Sequence, residues 1–376
     1  MADRSSAPAF TVSEEQCEFR SAVRSFMERY CPEAEVRRVA GTPDAHDPRM
    51  WRAMADQLHL QGLIIPDEYG GEGFGFTELF LVLEETGSAL LPGPYFSSAV
   101  LAATVLLQCA DDTAKKQYLP GIATGHTVAT LALTERPGSW QPDRFETTAI
   151  HSSGTWALRG VKHYVPDGVL ADLVLVIAQT DDGIGLFAVD DTALLRRRGQ
   201  STLDPTRRQS VITFADTPAR RLDTEPAADS LARALALSAA ALAAEQVGGA
   251  QRCLDQAVGY AKVRQQFGRP IGSFQAIRHT CADLLLDIEC ARGAAQYAAT
   301  AADVYPEQLP AAASLAKAYC SDAFARAAAA NIQLHGGIGF TWEHPAHLYF
   351  KRAQSSAMLL GDADHHRRLL ADRIGL

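Results

Sequence analysis

A chain of 376 residues with 47% hydrophobic and 21% charged side chains has an ordinary globular composition, enough for one large domain or two to three smaller ones sharing a core. Its formal net charge of −9 argues against nucleic acid as the main partner, because phosphate-backbone binding is driven by Lys and Arg. It leaves room for a phosphorylated cofactor, which a few local arginines and a helix N-terminus can hold.

The opening MADRSSAPAF has no basic region followed by an apolar run, and no stretch of about 18 uninterrupted apolar residues occurs. Neither a signal peptide nor a membrane span is therefore expected, and the expected location is the cytoplasm. The cysteines at 17, 31, 109, 253, 281, 290 and 320 are scattered, odd in number and never arranged as CxxC. They read as buried free thiols in a reducing compartment.

Residues 1–126 carry helical signals. Phe19, Val23, Phe26 and Met27 recur at helix spacing, as do Leu79, Leu81, Val82 and Leu83 around Glu84 and Glu85. Pro66, Tyr69-Gly70-Gly71 and Pro92-Gly93-Pro94 break them. Residues 127–227 differ. Thr127–Leu133, Trp156–Val165, Asp172–Ala178, Gly185–Val189 and Val211–Phe214 are strand-like runs separated by Gly-, Ser-, Asp- and Pro-rich pieces, which predicts a small antiparallel β domain. In residues 228–376 helix returns and alanine dominates. Leu231–Arg264 is expected to be one helix of about 50 Å with Ser230 as its N-cap, and the small residues suit a tight bundle.

Five stretches carry chemistry. In YAKVRQQFGRPIGSFQAIRHTCAD (260–283), Arg264 and Arg269 flank Phe267-Gly268, and Phe274-Gln275 open a helix. Two guanidiniums, a ring and an amide at a helix N-terminus suit a nucleotide diphosphate, and equally describe a helix-turn-helix with surface arginines. In QLHGGIGFTWEHPAHLYFKR (333–352), Gly336, Gly337 and Gly339 permit close approach to the backbone. ALTE (132–135) ends a predicted strand, GVKHYVPDG (160–168) lies in the β region, and IPDEYGG (65–71) separates N-terminal helices.

Together these stretches resemble the acyl-CoA dehydrogenase family over nearly the whole chain. RQQFGRPIGSFQ and QLHGGIGF are the specific parts. The resemblance implies a mostly α fold with a central β domain: an N-terminal helical domain, a middle antiparallel β-barrel-like domain and a C-terminal four-helix bundle. It implies FAD as cofactor and an acyl-CoA substrate dehydrogenated to a 2,3-enoyl-CoA. Electron-transfer flavoprotein is the implied acceptor, and the assembly is a homotetramer or an α2β2 heterotetramer.

By the same resemblance Arg264, Phe267 and Gln275 match contacts to the adenine and diphosphate end of an FAD held mainly by a neighbouring subunit. Gln333, Gly336 and Gly337 match the loop closing over that end. Leu133 and Thr134 match the strand end beside the flavin ring, and Tyr164 and Val165 a second flavin-side segment.

The chain departs from the family pattern in three places. The usual catalytic glutamate near the C-terminus is replaced by Gly361, preceded by Leu360; Asp362 and Asp364 are poor substitutes. Ser238 stands at the alternative base position on the preceding long helix. Glu245, two turns further along the same face, is either the base, its pKa lifted by apolar surroundings, or a structural carboxylate bonded to a neighbouring helix. Arg136 and Ser139-Trp140 replace the family's Pro and Gly-Ser-Asp turn, and Tyr164-Val165-Pro166 replaces Trp-Ile-Thr.

These losses resemble actinobacterial members that work as heterotetramers on steroid side-chain esters, in which one subunit type has incomplete sites. The readings are thus an active dehydrogenase with Glu245 as base, a non-catalytic partner subunit, and a carrier-protein-linked dehydrogenase or flavin oxidase. His335, His344 and His347 suit loop hydrogen bonding, and His365-His366 a polar helix face.

Overall fold

The computed structural model describes residues 12–136, 138–140, 145–152, 154–224 and 227–376. Pro137 and residues 141–144, part of the loop that departs from the family pattern, lie outside them. In chain order the N-terminal helices are α1 (Glu14–Tyr30), α2 (Glu33–Ala40), α3 (Pro48–Leu58) and α4 (Phe76–Ser88). A π-helical stretch (Tyr95–Ala102) then runs into α5 (Ala103–Cys109), and α6 (Asp112–Ala123) follows. The strands are β1 (Ala129–Ala132), β2 (Thr148–Ser152), β3 (Thr155–Pro166), β4 (Leu173–Thr180), β5 (Gly183–Val189), β6 (Arg196–Gly199) and β7 (Gln209–Arg221). The C-terminal part is α7 (Ala228–Val263), a hairpin of β8 (Gln265–Gln266) and β9 (Arg269–Pro270), α8 (Gln275–Asp303), α9 (Leu309–His335), α10 (Ala346–Met358) and α11 (Ala363–Ile374).

The start of α1 is set by a capping box: Gln16 N–H donates to Ser13 Oγ, and Ser13 N–H donates to Gln16 Oε1. Val23, Phe26 and Met27 of its predicted apolar face are buried. Helix α4 is buried along most of its length because it runs through the core, with Glu84 and Glu85 paired to Arg20 and Arg24 of α1. Its first turn is capped from a distance: the Asp303 carboxylate at the end of α8 accepts from Phe76 N–H (2.8 Å) and Thr77 N–H (2.9 Å).

The β domain is a mixed sheet, which corrects the antiparallel expectation. Strand β4 pairs in parallel with β1 and, at Thr148–Gln179, with β2, while the other ladders are antiparallel. Alternating hydrophobicity reports which face is buried, not strand direction, so the pattern could not distinguish them. The order β1-β4-β2-β3-β7-β5, with β4 also pairing β5, closes the sheet on itself.

The long helix begins earlier than expected. Ala227 is the N-cap without a side-chain bond, and Ser230 lies inside the helix. Its 36 residues span about 54 Å, and it packs against α4, α5, α8, α9 and α10.

Glycine and alanine on α7 serve close approach. A Cβ added at Gly248 would lie 1.9 Å from the Glu84 carbonyl oxygen, and one at Gly87 2.0 Å from that of Glu245. The α4 and α7 backbones therefore touch at a reciprocal glycine pair. Cys31, Cys109, Cys253 and Cys320 are buried free thiols, whereas Cys17 and Cys290 are exposed, unlike the expectation for the set.

Because the obstruction is backbone, Gly248→Ala and Gly87→Ala must push the helices apart. Each is expected to cost about 1–3 kcal/mol, read as a lower midpoint in urea or thermal unfolding, whereas Gly259→Ala, which meets nothing within 4 Å, leaves the midpoint in place or raises it.

Candidate active site

Four charged side chains meet where the β6–β7 connection crosses α7 and α10. Arg207 Nη2 donates to both oxygens of Glu245, each at 2.6 Å. Arg352 Nη1 donates to Glu245 Oε1 (2.9 Å), and Arg352 Nε to Asp204 Oδ2 (2.8 Å). Arg352 also reaches the Thr206 hydroxyl and the Leu91 carbonyl, while Arg207 bonds Ser356 Oγ and lies over the Phe96 ring. All four charged residues are buried, and their formal charges cancel.

This environment corrects the expectation for Glu245. Burial alone would lift its carboxyl, but the Arg207 and Arg352 guanidiniums outweigh burial and hold it below the usual carboxylate range. A carboxylate clamped by two arginines is a poor proton acceptor. Its partners come from α10 and the β6–β7 connection. Ser238 is also spent locally, its hydroxyl donating to the Ala234 carbonyl at 2.8 Å.

Two cavities border the turn between α10 and α11. The larger, about 480 Å³, lies between the β domain and α10 and is lined by Gly138, Trp140, Tyr164, Gln200, Leu203 and Met358 among others. The smaller, about 200 Å³, lies among α7, α9 and α11 and is lined by Leu235, Ala236, Ser314, Leu360, His365 and Arg373 among others. Trp140 borders both. Leu359 faces the larger and Leu360 the smaller.

Among the described residues, the one carboxylate lining either cavity is Asp204, already held by Arg352. Asp362 instead caps α11, accepting from His365 N–H at 2.7 Å. At Gly361 an added Cβ would lie 2.5 Å from His365 Cδ2, so the His365 imidazole fills the space a side chain at 361 would use. Leu360 (φ 63°) and Gly361 (φ 100°) are both left-handed, a conformation that costs a non-glycine residue about 1–2 kcal/mol. His366 is buried, which corrects its reading as part of a polar face. Its Nε2–H donates to the Leu360 carbonyl at 2.9 Å, and burial together with the nearby Lys317 lowers its pKa to about 3, so it is neutral.

The predicted cofactor residues fall into two groups. Leu133, Thr134, Tyr164 and Val165 lie in the β domain. Lys162, wholly buried, donates to the Leu133 carbonyl (2.9 Å) and to Glu135 Oε1 (2.7 Å), and Glu135 also accepts from the Glu146 and Thr147 backbone. Burial lowers the Lys162 pKa to about 8 against the pull of Glu135. Thr134 exchanges two bonds with the His163 backbone. These bonds fix the ALTE strand end against β3. Tyr164 (φ 56°) faces the larger cavity, whereas Val165 is buried in the sheet core, as is Leu133 in the main core.

The second group gathers at one end of the helical bundle. Phe267 (φ 54°) and Gly268 (φ 75°) form the two-residue turn of the β8–β9 hairpin, with positive φ at both positions as a type I′ turn requires. Phe267 is 91% exposed. Arg264, Gln275, Gln333, Gly336 and Gly337 are exposed as well. Tyr260 and His335 stack with ring centroids 4.4 Å apart, and His335 meets His344 at 4.2 Å, which brings the ends of α7 and α9 together. A Cβ at Gly336 or Gly337 would meet nothing within 4 Å.

Helix α10 leaves this end and reaches the larger cavity at Met358, about 20 Å along its 13 residues. The two groups therefore do not share a cavity within one chain. Each fits part of an extended nucleotide cofactor: cations, an aromatic ring and helix N-terminal amides facing open space at one end, and a cleft beside a fixed strand end at the other. Among the described residues no cluster of three or more metal-binding side chains occurs.

Comparison with known proteins agrees with this architecture. Residues 13–126 match the domain described as acyl-CoA dehydrogenase, N-terminal domain, and residues 229–375 the acyl-CoA dehydrogenase, C-terminal domain. The acyl-CoA dehydrogenase IpdE2 of Mycobacterium tuberculosis is 37% identical over 93% of this chain and 94% of its own length. Among solved structures, the Tcur3481-Tcur3483 steroid ACAD superposes with a TM-score of 0.88 at 31% identity, covering 97% of this chain and 99% of that one. The ChsE4-ChsE5 complex of Mycobacterium tuberculosis gives 0.89 at 27%, covering 98% and 99%.

Glu245→Gln leaves two buried guanidiniums short of their counter-charge. It is expected to destabilise the chain by about 3–5 kcal/mol in denaturant unfolding. The pH sign follows from the depressed carboxyl: its contribution is present above the ordinary carboxylate range and is lost as pH falls through the folded-state value, so the acid side of the stability profile should flatten in the variant.

Proposed function

The chain belongs to the acyl-CoA dehydrogenase family, and from that premise we propose that it is one subunit of a heteromeric, FAD-dependent assembly that converts an acyl-CoA thioester to its 2,3-enoyl-CoA, with the proton-accepting carboxylate on a partner chain. The observation that carries this reading is the state of the base position. Gly361 has no side chain, His365 fills the space beside it, and Glu245 is clamped, so among the described residues no carboxylate is free at either cavity. Likeness to the ChsE4-ChsE5 complex supports a second chain, and likeness to a steroid ACAD supports a bulky acyl group.

The flavin supplies the hydride-accepting chemistry when bound. This chain supplies orientation. Arg264, Gln275 and the first amides of α8 present positive charge and donors for a diphosphate, and Phe267 offers an aromatic face for the adenine. Gln333, Gly336 and Gly337 leave the backbone open for the same end of the cofactor on a neighbouring subunit. In the β domain, Lys162 and Glu135 hold the strand end at Leu133, and Tyr164 stands at the larger cavity. The partner's carboxylate removes the α-proton, and reducing equivalents pass to an electron-transfer flavoprotein.

The test starts with a visible absorption spectrum of the chain purified alone, then co-expressed with a relative that carries glutamate at the position of Gly361. Little flavin alone, and flavin with enoyl-CoA formation on co-expression, is the expected result. An isolated chain that is active, with one FAD per subunit, would overturn the heteromeric reading. Within the assembly, Phe267→Ala and Arg264→Ala in this chain should each weaken FAD retention by on the order of tenfold, about the worth of one charge-assisted or stacking contact, measured by flavin release on dilution.

A further inference from the structure

The turn between the two cavities is held by a buried cation. Lys317, in the middle of α9, has no exposed surface. Its Nζ lies 2.9 Å from the Gly361 carbonyl oxygen, 3.1 Å from that of Ala357 and 3.0 Å from Ser321 Oγ. Three acceptors match the three N–H bonds of an ammonium; a neutral amine has two. Among the described residues no carboxylate lies within ion-pair distance of it, the nearby acids acting only at longer range.

Two of the three acceptors sit at or just past the end of α10, where helix carbonyls lack partners and the dipole is negative. The Leu360 carbonyl between them is held by His366. Leu360 and Gly361 thus keep left-handed backbones with both carbonyls tied. That reversal is what sends Leu359 to the larger cavity and Leu360 to the smaller.

We propose that Lys317 is a positioning residue for acyl-thioester binding: bonded to the Ala357 and Gly361 carbonyls, its ammonium fixes the left-handed Leu360–Gly361 turn and with it the wall shared by the two cavities. The identity of the ligand rests on the proposed function; the holding of the turn does not.

The clasp depends on protonation. Burial lowers the Lys317 pKa to about 7, opposed by Cys320, Asp362 and Asp322 and reinforced by Arg207. The groups facing it are Cys320 and Asp322 from α9 itself, Asp362, His365 and His366 from the turn and α11, and Arg207 from the β6–β7 connection. As pH rises through about 7, one of the three bonds is lost and the turn loosens. The sign for global stability is opposite. The unfolded lysine keeps its proton to higher pH, so this group favours the fold more as pH rises from about 7 toward the ordinary lysine range. A local loosening that accompanies a global gain is a signature that general destabilisation does not produce.

The test is hydrogen exchange of the full chain, read by mass spectrometry on peptides spanning residues 357–362 and corrected for intrinsic rates. Wild type should show a step toward faster exchange near pH 7. Lys317→Met, which keeps the apolar stem, should exchange at least on the order of tenfold faster below that pH, as expected for losing bonds to a charged group, and should show no step. Ser321→Ala, which keeps both carbonyl bonds, should retain the step. Should Lys317→Met fail to fold, the wild-type profile alone decides. Absence of the step, or equal protection in wild type and Lys317→Met, overturns the clasp.

Octanoyl-CoA titrated into the co-expressed assembly should bind on the order of tenfold more weakly when this chain carries Lys317→Met. Faster turn exchange with unchanged octanoyl-CoA affinity overturns the role in binding. A wild-type assembly that binds no acyl-CoA counts against the proposed function instead, with the exchange profile still deciding the clasp.

Discussion

The buried set of Arg352, Glu245, Arg207 and Asp204 is the constraint around which the molecule is organised, because its members come from three separate parts of the chain. Glu245 belongs to α7, Arg352 to α10, and Asp204 and Arg207 to the connection between β6 and β7. Desolvating four charges is expensive, and such a set is tolerable only when every ion is paired and its remaining hydrogen-bonding groups are met. Here Thr206, Ser356 and the Leu91 carbonyl take further guanidinium donors. The β domain can therefore approach the helices in only one register. The larger cavity, whose wall includes Asp204, inherits its shape from that register.

Two further buried cations follow the same logic on a smaller scale. Lys162 and Lys317 each carry an ammonium into the interior to hold backbone carbonyls that have left regular structure: Leu133 at the end of β1, Ala357 and Gly361 at the end of α10. Lys162 has a carboxylate beside it and Lys317 does not, which agrees with burial lowering Lys317 further, to about 7 against about 8. Strand and helix ends are where backbone groups lack partners. They are also where a site needs exact backbone placement, so a charged donor answers both demands at once.

Much of this was legible in the sequence, and what was not has a common cause. The helix–β–helix order showed in composition and periodicity, and the break after α7 with Gln275 opening α8 showed in the Gly and Pro spacing. The order and the helix opening at Gln275 are local properties; the two-strand pairing that makes Phe267-Gly268 a hairpin was not among the expectations, which had only a turn there. Glu245 was recognisable as a carboxylate that needed partners, but the partners lie 38 and 107 residues away and neither Arg207 nor Arg352 stands in a distinctive local pattern. The parallel pairing of β1 with β4 and the contact of Gly87 with Gly248 are likewise long-range facts. Alanine richness in α7 announced close packing without saying against what. For Lys317, a lone lysine in an apolar helix, SLAKAYC, was the available signal: such a residue must find acceptors in the core or leave the helix face buried around it.

At Gly361, where the family resemblance expects a glutamate, more than one side chain differs. A residue at φ 100° lies in a region that L-amino acids rarely adopt, so glutamate there would have to change the backbone. That backbone is tied on both sides, by Lys317 at the Gly361 carbonyl and by His366 at the Leu360 carbonyl. The space for a side chain is filled by His365, and Asp362, the next acid along, is committed to capping α11. Four features that a single substitution would not reverse converge on a turn built around glycine. The turn reads as a settled structure in its own right, which is why the proposed function puts the proton-accepting carboxylate on a second chain.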